Sequence, residues 1–500
     1  MNQSKRSRHS LPQGLMAELE DLNPWGAGKR APETPAFRRW IFEKLHQLLI
    51  SGKTPAVVLR GPRQVGKTIL LCQLITRLLG DGLAGQRIFY VPFDQIENLG
   101  KIKDPILKIA HWFESNVLGD TFNESAHAGR IAYIFLDEVQ NLNAWAPQIK
   151  FLVDNYDVRV ILTGSSSLRI AAGQDSLAGR ITTLTVGTLL LREIAQFRFN
   201  QSYQPLMPPN GIDMLLQRSF WEEGQAKGKR EREARDQAFR AFSECGGYPM
   251  VHQPPILPRH EMADQLNEGI IKRAIHHDLR QGPRGRRRDE KMLEEVFLLC
   301  CRYAGQTPGP NIFVPELHQA VSPDINWNRV LTYLDYLDDA LLLRLIQPLE
   351  IRQKKMSASP AKVCLCDHAL RASWLGEVIP LDSEGLVANP HLTDLAGHMA
   401  ESALGYFLAS FPFLNINYYP TRGIEREVDF VITIGARRIP VEVKHRRKVD
   451  YHEDTYALRA FLEKTVYNAP FGILVTLDDD VTIYDPRLVQ ISLASLLWMR

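Results

Sequence analysis

Between Val57 and Leu71 the chain reads VVLRGPRQVGKTILL, an apolar run, a turn carrying two glycines, then Lys67-Thr68 and a second apolar run. No other stretch limits the fold as tightly. The first run has the length and branching of a buried strand, and the second has the spacing of a helix. Gly61, four further residues, Gly66, Lys67 and Thr68 form a phosphate-binding pattern. In such a turn, successive backbone N–H groups and the following helix N-terminus can enclose a phosphate. Gly61, Pro62, Arg63, Gln64, Val65, Gly66, Lys67, Thr68 and Ile69 are therefore the expected contacts to ATP or GTP. Lys67 is expected to reach the β- and γ-phosphates, and the Thr68 hydroxyl to help hold Mg²⁺. Glycine suits positions 61 and 66 because a Cβ would obstruct the turn and the backbone's approach to a nucleotide.

A second segment supplies the acid that such a loop needs. Ile131 to Val139, IAYIFLDEV, reads as a central strand flanked on both faces and followed at once by adjacent carboxylates. Asp137 can bind Mg²⁺ through water, and Glu138 can orient the water that attacks the γ-phosphate. Arg159 to Leu162 is a further strand, ending in Thr163-Gly164-Ser165-Ser166-Ser167. A hydroxyl there can sense the γ-phosphate or position water, and both Thr163 and Ser165 qualify; the alternative is a serine-rich turn without a ligand. Arg180 could act on a nucleotide in a neighbouring subunit or make a surface or interdomain salt bridge. Upstream, Pro35 to Leu49 has amphipathic spacing and predicts a helix with Thr34 as its cap.

Five hundred residues exceed one ordinary core, so two to four domains are expected. The formal charge of +3 gives little warrant for nucleic-acid binding by the chain as a whole, which leaves local basic patches to be weighed. RQGPRGRRR at 280–288 is one, suited to phosphates or to solvent. Gln353-Lys354-Lys355 offers a weaker basic contact. Six cysteines are too few for a disulfide scaffold, and neither Cys300-Cys301 nor Cys364-x-Cys366 has the second pair that zinc requires. With no secretory core and no apolar run of membrane length, a cytoplasmic protein without a membrane partner is expected.

The middle of the chain is more helical. Glu290 to Ala304 and Ser322 to Leu334 predict helices, and Leu341 to Ile346 a strand, an order that a winged-helix module would have. Toward the end, TRGIEREVDFVITIGARRIPVEVKHRRK sets Asp429 on one strand and Glu442 and Lys444 on the next. Side chains two apart in a strand share a face, so Glu442 and Lys444 point the same way and Asp429 could join them across a hairpin. Asp429 and Glu442 could bind Mg²⁺, Lys444 could activate water or stabilise phosphate charge, and Glu401 in MAESALGYFLAS could add a further acid. His445, Arg446, Arg447 and Lys448 could hold a nucleic-acid backbone or merely keep a loop soluble.

GPRQVGKT at 61–68, FLDEVQ at 135–140, TGSSS at 163–167 and SLAGR at 176–180 resemble the AAA+ class of P-loop ATPases, in its prokaryotic group with a C-terminal domain of nuclease-like fold. Asp429, Glu442 and Lys444, with Glu401 upstream, resemble the PD-(D/E)xK motif, with Val428 standing where that family often has proline. The resemblance implies an α/β chain: an N-terminal extension at 1–33, a P-loop ATPase core at 34–200 and a helical lid and connector at 201–290. A winged-helix-like module at 291–380 and a restriction-endonuclease-like domain at 381–500 would follow. It also implies ATP and Mg²⁺ as cofactors and a homo-oligomeric ring or partial ring, such as a hexamer, in which Arg180 completes a neighbour's site. Two functions follow: an ATP-driven machine acting on DNA, with Mg²⁺-dependent cleavage by the C-terminal domain, or an ATPase switch or protein remodeler whose nuclease-like fold binds a partner.

Overall fold

A computed structural model of the chain describes residues 11–97, 99–142, 144–164, 179–207, 211–278, 289–350, 359–421, 423 and 425–500. Ser165, the arginine-rich segment 280–288 and Gln353-Lys354-Lys355 lie outside the described residues. The chain divides into two compact units, 1–186 and 187–500.

Five parallel strands organise the first unit: β1 (Ala56–Arg60), β2 (Ile88–Pro92), β3 (Ala132–Asp137), β4 (Val158–Gly164) and β5 (Ile181–Thr185). Their order is β2-β3-β4-β1-β5. Every residue of β2 and β3 is buried, as the unbroken apolar runs require of strands covered on both faces. Parallel strands bring their carboxyl ends to one edge of the sheet, which is where such sheets bind ligands. The phosphate-binding loop after β1, the acids ending β3 and Thr163 near the end of β4 therefore meet although they are far apart in sequence.

Helix α1 spans Phe42–Ser51, α2 spans Lys67–Gly80 and α3 spans Trp145–Asn155. The helix expected from Pro35 therefore starts seven residues later. Gln73 Nε2, on α2, donates to the carbonyls of Pro35 at 2.8 Å and Phe37 at 2.7 Å, so a side chain takes the acceptors that a first helical turn would use. The extended segment is also strapped to the phosphate-binding loop, since buried Arg39 donates through NH1 to the Val65 carbonyl at 2.6 Å.

In the second unit, α4 (Glu290–Arg302), α5 (Pro310–Ala320) and α6 (Trp327–Asp339) precede an antiparallel pair, β6 (Leu343–Ile346) and β7 (Lys362–Leu365). Asp289 and Asn326 cap α4 and α6 by accepting from the amides of Met292 and Arg329. Helix α5 escaped the sequence reading, and its interior Pro315 is the reason, because proline ordinarily interrupts the helical pattern.

The rest of the unit is built on a five-stranded sheet. Helix α7 (Thr393–Ala409) leads into β8 (Asn415–Tyr419), β9 (Val428–Ile434) and β10 (Arg437–Lys444), an antiparallel meander. Helix α8 (Tyr456–Leu462) lies between β10 and β11 (Gly472–Thr476), which pairs parallel to it, and β12 (Leu488–Ser492) pairs parallel to β11. A parallel pair needs such a crossover, since a tight hairpin cannot join it. Helix α7 sits so close to its neighbours that a Cβ on Gly405 would come within 2.4 Å of Cys364 Sγ and 2.8 Å of the Phe430 ring. That approach gathers β7, α7 and β9 around one point. The cysteines of both pairs are buried free thiols. Among the described residues no helix is long and apolar enough to cross a membrane.

Candidate nucleotide site and carboxylate centre

The loop after β1 needs glycine at two positions for different reasons. Gly66 has φ +93°, a left-handed conformation that side chains rarely adopt, and it starts α2. Gly61 is limited by packing, because a Cβ there would stand 2.3 Å from the Val186 carbonyl oxygen. Between them, Gln64 also has positive φ, at 60°. Lys67 is buried inside the turn, where Nζ donates to the carbonyls of Gly61 at 3.1 Å and Pro62 at 2.9 Å. The same ammonium lies 3.6 Å from Glu138 Oε1.

Asp137, only 1% exposed, is surrounded by hydroxyls. Thr68 Oγ1 donates to Oδ2 at 2.7 Å, Tyr90 OH donates to Oδ2 at 3.2 Å, and Thr163 Oγ1 donates to Oδ1. Burial pushes this carboxyl above its ordinary range, the Glu138 charge adds to the rise, and the bonds from Thr163 and Thr68 hold part of it back. A dry carboxylate bonded by neutral donors is a strong attractor for a cation. Magnesium is commonly held by one or two protein oxygens together with phosphate oxygens, and Thr68 with Asp137 fits that donor set.

Glu138 completes the arrangement. Its backbone sits at φ +51°, its amide donates to Thr163 Oγ1 at 2.9 Å, and its carboxylate accepts from Gln140 Nε2. Lys67, Thr68, Asp137, Glu138 and Thr163 thus form one connected group. Thr163→Val removes a hydrogen bond to a charged carboxylate and the acceptor of the Glu138 amide. Such a bond is worth about 1.5–3 kcal/mol, which lowers nucleotide turnover about 10- to 150-fold in a steady-state phosphate-release assay if the bond acts in the transition state.

Arg180 is elsewhere. Its carbonyl accepts from the Ala56 amide at the start of β1, and its side chain pairs with Asp154 on α3. The five residues of β1 separate it from its own phosphate-binding loop, about 16 Å at the rise of a strand. Tyr90 and Gln140 are contributors that sequence reasoning missed. A lone hydroxyl within the buried strand IFYVP is the signal that could have found Tyr90.

A second polar centre is buried under α7. Lys444 Nζ donates to Glu442 Oε1 at 2.7 Å, as the shared strand face predicts, and Asp429 Oδ2 accepts from the Val443 amide at 2.8 Å. Lys362, at the start of β7 and 1% exposed, joins this centre without having been foreseen. Its Nζ lies 2.8 Å from Glu401 Oε2, 3.1 Å from Asp429 Oδ1 and 3.1 Å from Glu427 Oε1. The sequence signal was a charge heading the strand KVCL, every residue of which is buried.

Charge and burial oppose each other here. Burial lowers the Lys362 ammonium pKa, but the carboxylates of Asp429, Glu401 and Glu427 outweigh it and hold the group well above its ordinary value. Burial raises Asp429, yet Lys362, Lys444 and the Val443 amide bring it below the usual carboxylate range. Glu442 goes the other way, pushed up to about 8 by burial and by the Asp429 charge. The residues do not suit a magnesium ion as arranged. Both Asp429 oxygens and one Glu442 oxygen are engaged by protein donors, leaving Glu442 Oε2 without a partner. Among the described residues, no group of three or more His, Cys, Asp or Glu is placed to hold a metal. In the nearby basic run, His445 is buried against the Leu381 carbonyl, while Arg446, which pairs with Asp454, and Arg447 and Lys448 are exposed.

Residues 53–195 match the family model described as "AAA domain". The chain is 22% identical to an uncharacterized protein of Haemophilus influenzae over 67% of this chain and 72% of that one. It is 23% identical to an uncharacterized protein of Methanocaldococcus jannaschii, over 80% and 78% of the two chains. An uncharacterized protein of Mycobacterium tuberculosis is 24% identical, over 78% and 70%. Among solved structures, the Walker-type ATPase of Pyrococcus abyssi aligns with 69% of this chain and 99% of its own, at 13% identity and a TM-score of 0.39. The segment that matches this model, residues 53–195, holds all five strands of the parallel sheet and the phosphate-binding loop.

Proposed function

Given an AAA domain at residues 53–195, we propose that the chain hydrolyses ATP with Mg²⁺ and works as a homo-oligomer. The single observation that carries the reading is the connected group in which Thr68 and Thr163 both bond Asp137 while Thr163 also bonds the Glu138 amide. In this reading Thr68 and Asp137 would hold the metal, whose charge would offset that of the phosphates. Lys67 exchanges its two carbonyls for phosphate oxygens. Glu138, kept in place by Gln140, accepts a proton from or orients the attacking water. Arg180, one strand length from its own loop, serves the nucleotide of an adjacent copy after leaving Asp154.

The proposed task of the second unit is to act on DNA in step with ATP turnover. Its support is the nuclease-type arrangement of Asp429, Glu442 and Lys444 at the end of a meander, with exposed Arg447 and Lys448 a few residues on. The helices α4 to α6 with β6 and β7 follow the element order of a winged helix. A second reading, an ATPase switch whose C-terminal fold binds a protein partner without cutting, is favoured by the Lys362 ammonium within the carboxylate centre. Binding of the full chain to labelled duplex and single-stranded DNA separates the two. If DNA is the substrate, affinity falls at least about tenfold between 50 and 200 mM salt as counterions are released. Undetectable DNA binding by a sample that turns over ATP transfers the function to the second reading.

A further inference from the structure

We propose that the Lys362 ammonium is itself the cation of the C-terminal carboxylate centre, so that the chain takes up no divalent metal there while this lysine is in place. A lysine ammonium has three N–H donors, and Lys362 has three carboxylates around it, from Glu401, Glu427 and Asp429. The contacts of 2.8 to 3.1 Å are those of an ammonium, whereas magnesium requires oxygens at about 2.0–2.1 Å. A metal would have to expel the lysine and draw the acids inward.

The remaining donors point to the same conclusion. Asp429 has its second oxygen on the Val443 amide and Glu442 has one oxygen on Lys444, so the oxygens that a metal would need from Glu401, Glu427 and Asp429 are the ones that Lys362 holds. Lys362 is 1% exposed and also lies 5.2 Å from the centroid of the Phe430 ring, which shields it on a further side. Magnesium gives up its waters reluctantly, and this dry position would demand that it do so. The lysine comes from β7, whose pairing partner is β6, while the acids come from α7, β9 and the residues just before β9. Its charge therefore holds separate elements together at the place where the expected Asp429 and Glu442 chemistry needed a metal.

The test is titration of the full chain, without nucleotide, with Mn²⁺ followed by the electron paramagnetic resonance signal of the free ion. The parent and Asp429→Asn are expected to bind the same amount, since Asp429 already has Lys362. A site present in the parent and lost in Asp429→Asn overturns the proposal. Lys362→Met is expected to gain a site, with Mn²⁺ affinity raised about 10- to 100-fold, the size of effect that ligand-shell changes produce. The gain disappears when Asp429→Asn is added. A folded Lys362→Met chain that binds no more Mn²⁺ than the parent also overturns it. If Lys362→Met does not fold, the comparison of parent with Asp429→Asn decides alone.

Discussion

Lys67→Ala loses ATP turnover, with kcat/KM reduced at least about 10²–10³-fold, the range found when a charge-stabilising donor is removed from an active site. The position of the Lys67 ammonium explains the loss. It is buried inside a turn whose backbone curves around it, and its acceptors are two loop carbonyls and, at 3.6 Å, the Glu138 carboxylate. Alanine leaves the turn without a positive charge where phosphate would enter, so nucleotide binding fails before chemistry begins. Equilibrium binding of a fluorescent ATP analogue, measured beside phosphate release, checks this. Parent-like turnover in a folded Lys67→Ala sample removes the loop from the reaction.

Glu138→Gln has a different signature. Glutamine keeps the size of the side chain and an oxygen for Gln140 Nε2, so the surroundings of the loop are preserved. It cannot take a proton from water. Binding of ATP is therefore retained while kcat falls about 10²–10⁴-fold, the usual contribution of a positioned general base. Measuring affinity and turnover on one preparation separates this outcome from that of Lys67→Ala. A kcat close to the parent's would show that Glu138 does not handle the attacking water, whatever its bonds to Thr163 and Lys67.

The two centres were legible in the sequence to different depths, for physical reasons. The phosphate-binding loop is local: Gly66, Lys67 and Thr68 are adjacent, and the turn's steric demands write themselves into neighbouring residues. The meeting of Asp137 with Thr68 and Thr163 was legible because parallel strands bring their carboxyl ends to one edge. Likewise, the period of two in a strand put Glu442 beside Lys444. Lys362 was not legible, since it enters from 39 residues upstream of Glu401 and 67 upstream of Asp429 and carries no motif. The late start of α1 had a similar origin. The 35–49 segment is amphipathic enough for a helix, but Gln73 from a later helix claims its first carbonyls, and spacing within a segment does not record a distant competitor.

The hydroxyl of Thr163 has one hydrogen, and that hydrogen goes to Asp137 while the oxygen receives the Glu138 amide. Two neighbouring acids, the last residue of β3 and the first beyond it, are thereby tied a second time, through a residue of the adjacent strand. In the proposed reaction this makes the hydroxyl a clutch. Any displacement of Asp137 would be passed through the Thr163 oxygen to the backbone amide of Glu138, already held at positive φ. The two acids would therefore keep one relative position, and a residue change that displaces either would reach the other through this single oxygen.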